Sequence, residues 1–145
     1  MSVIGLDLGG TKLAGAVFDQ AGGILAEEVS PLESRRGVDV GTLIVECLHR
    51  LLAAGGRVEA IGISVPGISH AATGRVWAPN IPGWDDYPLR DEMRAALGGE
   101  AVPLVIEADR SCYIMGEVWR GAARNCRNAI FLAVGTGIGA GVLVD

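Results

Sequence analysis

The chain has 145 residues, of which 50% are hydrophobic and 20% charged, and its formal net charge at pH 7 is −5. This length suits one domain of common size with its own core, and the hydrophobic content excludes a disordered chain. The acidic balance and the scattered arginines exclude nucleic acid as an expected partner, because affinity for its phosphate backbone requires clustered Lys and Arg.

The apolar runs and the cysteines indicate in which cellular compartment the protein is expected. No run is long enough to cross a bilayer, and the first residues lack the basic and apolar segments of an export signal. Cys47, Cys112 and Cys126 are odd in number and lack a C-x-x-C spacing, so this chain alone predicts neither a disulfide framework nor a zinc site. We therefore expect a cytoplasmic protein with no membrane partner.

The first half of the chain begins with strands. Three short apolar runs, Val3 to Leu8, Leu13 to Phe18 and Ile24 to Val29, are separated by pairs of glycines, which predicts a meander of antiparallel strands. Apolar residues then recur at helical spacing from Val40 to Leu52, which predicts an amphipathic helix that ends at Gly55-Gly56.

Strands and helices alternate in the rest of the chain. Strands are predicted at Ala60 to Val65 and at Val102 to Ile106, a short helix around Leu89 to Leu97, and a third helix at Ser111 to Trp119. Three antiparallel strands followed by βαβ units imply an α/β fold with a mixed five-stranded sheet and helices on both faces. This is the layout of ribonuclease-H-like, actin-like ATPase domains.

The end of the chain repeats its beginning. Residues 4–19 (IGLDLGGTKLAGAVFD) and 130–145 (IFLAVGTGIGAGVLVD) align without a gap and share Ile, Leu, Gly, Ala, Gly and Asp at equivalent positions. Convergent composition is one explanation, since the chain holds 22 glycines. A duplicated domain is the other, and it predicts an N-terminal actin-like domain at residues 1–128 and the first hairpin of a second, truncated one at 129–145. Because isolated apolar hairpins are marginal in water, we expect self-association, as a homodimer or otherwise.

The tip of the first hairpin combines an acid at a strand end with two glycines. Glycines let backbone N–H groups approach phosphate oxygens closely, so we predict that ATP contacts Asp7, Gly9, Gly10, Thr11 and Lys12. Asp7 can hold Mg²⁺ through water, because Mg²⁺ keeps much of its hydration shell. A glycine hairpin without any ligand is the alternative.

A second glycine run, Gly135 to Gly141, lies between apolar segments near the end of the chain. It lacks the following helix that a dinucleotide-binding or Walker-type loop requires, so neither motif applies. We predict that the run forms a second hairpin whose Gly135, Thr136 and Gly137 hold the same triphosphate from the other side.

Asp109 follows an apolar strand and opens the third predicted helix. The helix N-terminus favours the ionised carboxylate, and the end of a strand is where ligands of such sheets bind, so Asp109 can accept a proton from an attacking hydroxyl. The alternatives are that Asp109 only caps the helix, or that Glu107 is the base. Two loops with Pro and Gly, Ser64 to Ile68 and Ala78 to Trp84, suit either a polyol or a plain surface turn.

Five motifs in chain order resemble those of the ROK family of sugar kinases and repressors: Asp7-x-Gly-Gly-Thr-Lys12, Val65-Pro-Gly67 with Gly74, Pro79-Asn80-x-Pro-Gly-Trp84, Asp109 with Glu117, and Gly135-Thr-Gly-x-Gly-Ala-Gly141. The resemblance implies ATP- and Mg²⁺-dependent phosphorylation of a hexose or N-acetylhexosamine, typically at the 6-hydroxyl. It also implies that Asp109, rather than Glu107, is the catalytic base, and that the sugar contacts Gly67, Asn80 and Asp109.

Two positions depart from the family pattern. The family normally has Asn before the base and Asn two residues after it, whereas this chain has Ala108 and Ser111. Loss of the amide at Ala108 removes a hydrogen bond of about 1 kcal/mol, which implies a different sugar or reduced activity. The alternative function is therefore a catalytically weak, sugar-sensing regulatory protein.

The resemblance also sets expectations about what lies beyond these residues. The family's zinc-binding cysteines and further sugar ligands would follow Asp145, so a structural zinc in the full-length protein has no ligand here, and this chain alone is expected to be inactive. A repressor would carry a helix-turn-helix domain ahead of the first hairpin, so the hairpin at the N-terminus disfavours that reading.

Overall fold

A computed structural model describes residues 1–134 and 138–145 of the chain. These residues divide into two compact units, Met1–Glu107 and Ala108–Asp145. The predicted division after residue 128 stays a prediction. Along the described chain the elements are β1 (Ser2–Leu8), β2 (Lys12–Asp19), β3 (Ile24–Pro31), α1 (Val38–Gly55), β4 (Val58–Val65), β5 (Ile68–His70), β6 (Arg75–Trp77), α2 (Leu89–Ala96), β7 (Leu104–Ala108), α3 (Asp109–Arg120), β8 (Ala129–Val134) and β9 (Ile138–Leu143).

The first unit is built on the predicted five-stranded mixed sheet. Its strand order is β3-β2-β1-β4-β7, with β1 antiparallel to β2, β2 antiparallel to β3, and β1 parallel to β4. The last strand begins at Leu104, two residues later than predicted, because Pro103 has no N–H to donate to a ladder. The Pro103 carbonyl still accepts a hydrogen bond from the Ile61 amide at 2.9 Å.

Helix α1 packs its apolar side on β1, β2 and β3. Gly15 of β2 lies directly beneath it: a Cβ at Gly15 would come within 2.7 Å of Leu51 Cδ1 and 2.8 Å of Cys47 Sγ. The missing side chain therefore sets how closely the helix approaches the sheet. The buried residues of α1 recur at helical spacing, as the sequence predicts: Val40, Gly41, Leu43, Ile44, Cys47, Leu48 and Leu51.

The connection from β6 to α2 is part of the core rather than a loose surface turn. Trp84 is 1% exposed and stacks on Tyr87, with ring centroids 4.2 Å apart. The Tyr87 hydroxyl donates to the Glu92 carboxylate at 2.8 Å, and burial, reinforced by this hydrogen bond, raises the pKa of Tyr87. The aromatic pair thus anchors the Pro- and Gly-rich stretch that leads into α2.

The second unit consists of α3 and the antiparallel pair β8–β9. Phe131 of β8 contacts Tyr113 of α3, with ring centroids 5.4 Å apart. Across from Phe131 in the ladder lies Gly141, where a Cβ would collide with the Arg110 carbonyl oxygen. Small residues on β9 therefore allow α3 to lie close on the hairpin. None of the helices in the described ranges combines the length and apolar character needed to cross a membrane.

The two hairpins that match in sequence differ by one residue in register. Gly15 pairs with Leu6 in the first hairpin. Its counterpart Gly141 pairs with Phe131 in the second, not with Leu132, the counterpart of Leu6. A one-residue slip moves a strand's side chains to the other face. Accordingly Leu6 is 2% exposed, whereas Leu132 is 62% exposed.

Candidate functional site

The tip of the β1–β2 hairpin presents free backbone donors. The Gly9 amide donates to the Lys12 carbonyl at 2.9 Å, which closes the turn, and the Thr11 carbonyl accepts from the Leu32 amide at 2.8 Å. The amides of Gly10 and Thr11 donate to no acceptor within residues 1–134 and 138–145. Two adjacent N–H groups at an exposed glycine turn suit the oxygens of a phosphate group.

Asp7 lies beside an unpartnered hydroxyl. Asp7 in β1 and Ser64 in β4 are register partners in the parallel pair, so their side chains share one face near the carboxyl ends of both strands. Ser64 is 8% exposed, and its buried hydroxyl has no hydrogen-bond partner in the described chain. Buried hydroxyls are normally hydrogen-bonded, so this one suits a water or ligand oxygen. An exposed carboxylate next to such a hydroxyl fits a hydrated Mg²⁺, which usually takes only one or two carboxylates.

The two candidate sugar residues of the first unit lie on neighbouring loops. Gly67 has a φ of 146°, and a Cβ there would collide with the Trp77 carbonyl oxygen and lie 3.0 Å from Ala78 Cα. Only glycine lets the turn after β4 rest on this segment. Two residues further on, the exposed Asn80 makes no side-chain hydrogen bond to any described residue, so its amide is available to a ligand.

Asn80 is held next to the glycine tip. A Cβ built at Gly10 would lie 3.7 Å from the Asn80 Cβ. The loop that carries Asn80 is closed by the hydrogen bond from the Ala78 amide to the Trp84 carbonyl at 2.8 Å, and Trp84 Nε1 donates to the Gly37 carbonyl at 3.0 Å. Folding thus brings the predicted phosphate residue Gly10 and the predicted sugar residue Asn80 together.

A groove of about 210 Å³ opens between these two residues and the segment that joins β3 to α1. The groove adds residues that sequence reasoning missed: Glu33, Ser34, Arg35 and Arg36. Arg35 and Arg36 are adjacent in the sequence but belong to no motif, so only the folded loop shows that they lie beside the glycine tip.

Asp109 belongs to the second unit and is the first residue of α3. Its Oδ1 accepts from the Arg110 amide at 2.7 Å and lies 3.4 Å from Arg110 Nε. The N-cap residue of α3 is Ala108, and the described residues give no side-chain hydrogen bond at that cap, so the alternative that Asp109 caps the helix is not borne out. Its assignment as the base stays a prediction. Glu107, the competing candidate, is exposed in β7.

The second glycine run divides into two parts. Gly135, Thr136 and Gly137, the predicted phosphate contacts, lie outside the described residues. Gly139 and Gly141 are in β9 and face Arg110 of α3. A Cβ built at Gly139 would lie 3.0 Å from Arg110 Cδ. At Gly141 the Cβ would collide with the Arg110 backbone, so this glycine serves helix packing.

Comparison with known proteins places the chain in a family. The ROK family profile matches residues 3–145. The chain is 33% identical to a glucokinase of Streptomyces coelicolor over 144 residues, covering 97% of this chain and 43% of the relative. It is 28% identical to an N-acetyl-D-glucosamine kinase of Pectobacterium atrosepticum, covering 97% of this chain and 45% of that protein. The chain thus spans somewhat less than half the length of these relatives.

Solved structures agree with the sequence comparison. A ROK hexokinase from Thermus thermophilus has a TM-score of 0.84 and 39% identity, over 99% of this chain and 47% of its own. A ROK family glucokinase from Streptomyces griseus, in complex with glucose and AMPPNP, has a TM-score of 0.79 and 32% identity, over 99% of this chain and 45% of its own. The fold is that of the actin-like ATPases, and the chain belongs to the ROK family.

Proposed function

We propose that the full-length protein transfers the terminal phosphoryl group of ATP to a hydroxyl, typically the 6-hydroxyl, of a hexose or N-acetylhexosamine. The observation that carries the proposal is that Gly10 and Asn80 are adjacent: a Cβ built at Gly10 would lie 3.7 Å from the Asn80 Cβ. A free amide pair suited to phosphate and a free side-chain amide suited to a sugar hydroxyl are what a sugar kinase needs side by side. Relatives named glucokinase and N-acetyl-D-glucosamine kinase support the substrate class.

In this mechanism the chain's residues position the reactants and move one proton. The amides of Gly10 and Thr11 hold terminal phosphate oxygens, while Asn80 and the turn at Gly67 orient the sugar. Asp109 accepts the proton of the attacking hydroxyl as that oxygen bonds to the γ-phosphorus and the bond to the β-phosphate oxygen breaks. ADP leaves with the displaced electron pair.

Asp7 would hold Mg²⁺ through water, with the Ser64 hydroxyl beside it as a further partner for the hydration shell. Magnesium bound with the nucleotide neutralises negative charge on the phosphates. This chain contributes these residues, and we propose that it lacks appreciable activity without the rest of the full-length protein.

A coupled ADP-release assay on the full-length protein tests the proposal. The panel contains hexoses and N-acetylhexosamines, and the variants are Asp109→Asn, Asn80→Ala and, as a control at an exposed turn, Gln20→Ala. We expect turnover with one sugar, loss of turnover in Asp109→Asn, and a KM raised about tenfold or more in Asn80→Ala, since one hydrogen bond to a substrate is lost. Full activity in Asp109→Asn would contradict the assigned base.

Ala108 favours a second candidate function, a sugar-sensing protein with weak transfer. It occupies the position where family members carry a sugar-binding Asn, and it precedes α3 with an extended backbone that any residue can adopt. In this case calorimetry would detect sugar binding without turnover. Ala108→Asn would then raise sugar affinity by about tenfold, the effect of one hydrogen bond.

A further inference from the structure

The groove beside the glycine tip has walls that are fixed by hydrogen bonds between three separate chain segments. The Leu32 amide donates to the Thr11 carbonyl at 2.8 Å, which ties the β3–α1 segment to the hairpin. The Gly37 amide donates to the Pro82 carbonyl at 2.8 Å, which ties the same segment to the loop that carries Asn80. These hydrogen bonds hold the three segments around the groove of about 210 Å³.

The charged side chains of the groove differ in whether they have a partner within the chain. Arg35 Nη1 donates to the Pro31 carbonyl at 3.2 Å and to Glu33 Oε2 at 3.3 Å, so the guanidinium of Arg35 and the carboxylate of Glu33 neutralise each other within the loop. Arg36 is exposed, and its guanidinium has no acceptor among the residues that the structure describes. The positive charge of Arg36 is therefore available to a ligand in the groove.

The donors around this charge match a phosphoryl group. The free amide of Gly10 and the Ser34 hydroxyl border the same groove as Arg36. A guanidinium that has a fork of N–H donors, next to backbone and side-chain donors, is the arrangement that binds phosphate oxygens, often through two parallel hydrogen bonds. A neutral sugar would leave the Arg36 charge without a partner.

We propose that Arg36 binds the phosphoryl group in this groove, as an additional phosphate contact that the glycine tip alone does not supply. The proposal deepens the proposed function and rests on it for the identity of the ligand, which is either the terminal phosphate of ATP or the phosphate ester of the sugar product. In both cases the chemistry is a phosphoryl dianion held by Arg36 and the Gly10 amide.

The test is an NMR titration of the chain with inorganic phosphate, observing the amides of Gly10 and Thr11 and the Nε–H of Arg36. We compare Arg36→Gln with Arg57→Gln, which removes the same charge from an exposed position at the other end of the sheet. Arg36→Gln is expected to weaken phosphate binding about tenfold, the effect of a charged hydrogen bond, and Arg57→Gln to leave it within about twofold. Arg36→Lys, which keeps the charge but not the fork, is expected to be intermediate.

Further titrations distinguish the two sources of the phosphoryl group. Stronger binding of ATP than of ADP, lost in Arg36→Gln, identifies the nucleotide, whereas stronger binding of glucose 6-phosphate than of glucose identifies the product. Equal weakening by Arg36→Gln and Arg57→Gln, or no saturable shift at Gly10 and Arg36 in the original chain, would overturn the proposal. Arg36 is exposed, so its substitution is not expected to disturb the fold. A dispersed spectrum of each variant checks that the fold is retained.

Failure of this inference is distinguishable from failure of the proposed function. If the full-length protein phosphorylates a sugar but Arg36→Gln leaves phosphate binding unchanged, only the role of Arg36 is wrong. If phosphate binds through Arg36 and no sugar is turned over, the phosphate contact stands and the kinase assignment is wrong.

Discussion

Gly10 and Asn80 are 70 positions apart in the chain, yet a Cβ at Gly10 would lie 3.7 Å from the Asn80 Cβ. The contact joins the turn that carries the free amides of Gly10 and Thr11 with the loop that carries the free side-chain amide of Asn80. The Gly37 segment holds that loop through Trp84 Nε1 at 3.0 Å.

Substitution of Gly15 should destabilise the first unit. A Cβ would lie 2.7 Å from Leu51 Cδ1 and 2.8 Å from Cys47 Sγ, so these buried side chains, or α1 with them, would have to shift. We expect Gly15→Ala to lower the free energy of unfolding by about 1–3 kcal/mol in urea denaturation, the usual cost of overpacking. Gly62→Ala is the matched control, because no atom lies within 4 Å of its Cβ position. Equal stability of the two variants would contradict the packing role of Gly15.

The Trp84 indole N–H should position the Asn80 loop. Trp84→Phe keeps an aromatic ring against Tyr87 but leaves the Gly37 carbonyl without its donor. We expect a loss of about 1–3 kcal/mol in stability, from the unsatisfied carbonyl, and altered amide shifts at Asn80. Trp77→Phe, at a ring that is 41% exposed, serves as the control and should change neither property.

The thiols of Cys47 and Cys126 should differ in reactivity because one is buried and the other is exposed. Burial, followed by the hydrogen bond with Glu28, raises the pKa of Cys47 to about 12, and Cys47 is 1% exposed, whereas Cys126 is exposed. Since the thiolate is the reactive form, an aromatic disulfide reagent should modify Cys126 in the folded chain and Cys47 only after unfolding. Rapid modification of Cys47 in Cys126→Ser under native conditions would show that α1 opens readily.

The Glu28–Arg50 pair should contribute stability that depends on pH. Arg50 Nη2 lies 2.8 Å from Glu28 Oε1, and this hydrogen bond holds the pKa of Glu28 below its usual value. A lowered pKa in the folded state gives stability that is present above the unfolded pKa of Glu and is lost as the pH falls through the folded value. Arg50 is half exposed, so we expect Arg50→Gln to cost no more than about 1 kcal/mol at neutral pH.

Urea midpoints at neutral pH and in acid check this expectation. The difference between the original chain and Arg50→Gln should shrink as Glu28 becomes protonated, whereas Arg57→Gln should show no such trend. A difference that persists unchanged in acid would mean that Arg50 acts by packing its stem rather than by its charge.

The outer face of β8–β9 should mediate self-association. Ile130, Leu132 and Ile138 are 67%, 62% and 80% exposed on it, although they are apolar. Contiguous exposed apolar surface favours association, so Leu132→Lys should shift the chain toward monomer in sedimentation velocity. Val38→Lys, at an equally exposed apolar residue of α1, is the control. A clean monomer of the original chain at high concentration would contradict the prediction.

The amino-acid pattern by itself determined the main strands and helices, the sheet class and the family, but it did not predict the short strands β5 and β6. Apolar periodicity located α1, and the glycine pairs located the first hairpin, because these signals arise from neighbours within one element. The boundary of β7 was misplaced by two residues at Pro103, where the missing N–H of proline outweighed the apolar run.

Only the tertiary structure decided which distant residues meet and what each glycine does. The glycines at 139 and 141 resemble a phosphate loop in sequence, but both lie in β9, and Gly141 lets α3 pack closely. Arg36 carries no motif and becomes a candidate phosphate contact only because the β3–α1 segment is tied to the glycine tip and to the Asn80 loop. Such contacts depend on the register of strands and the path of loops, which local sequence patterns do not encode.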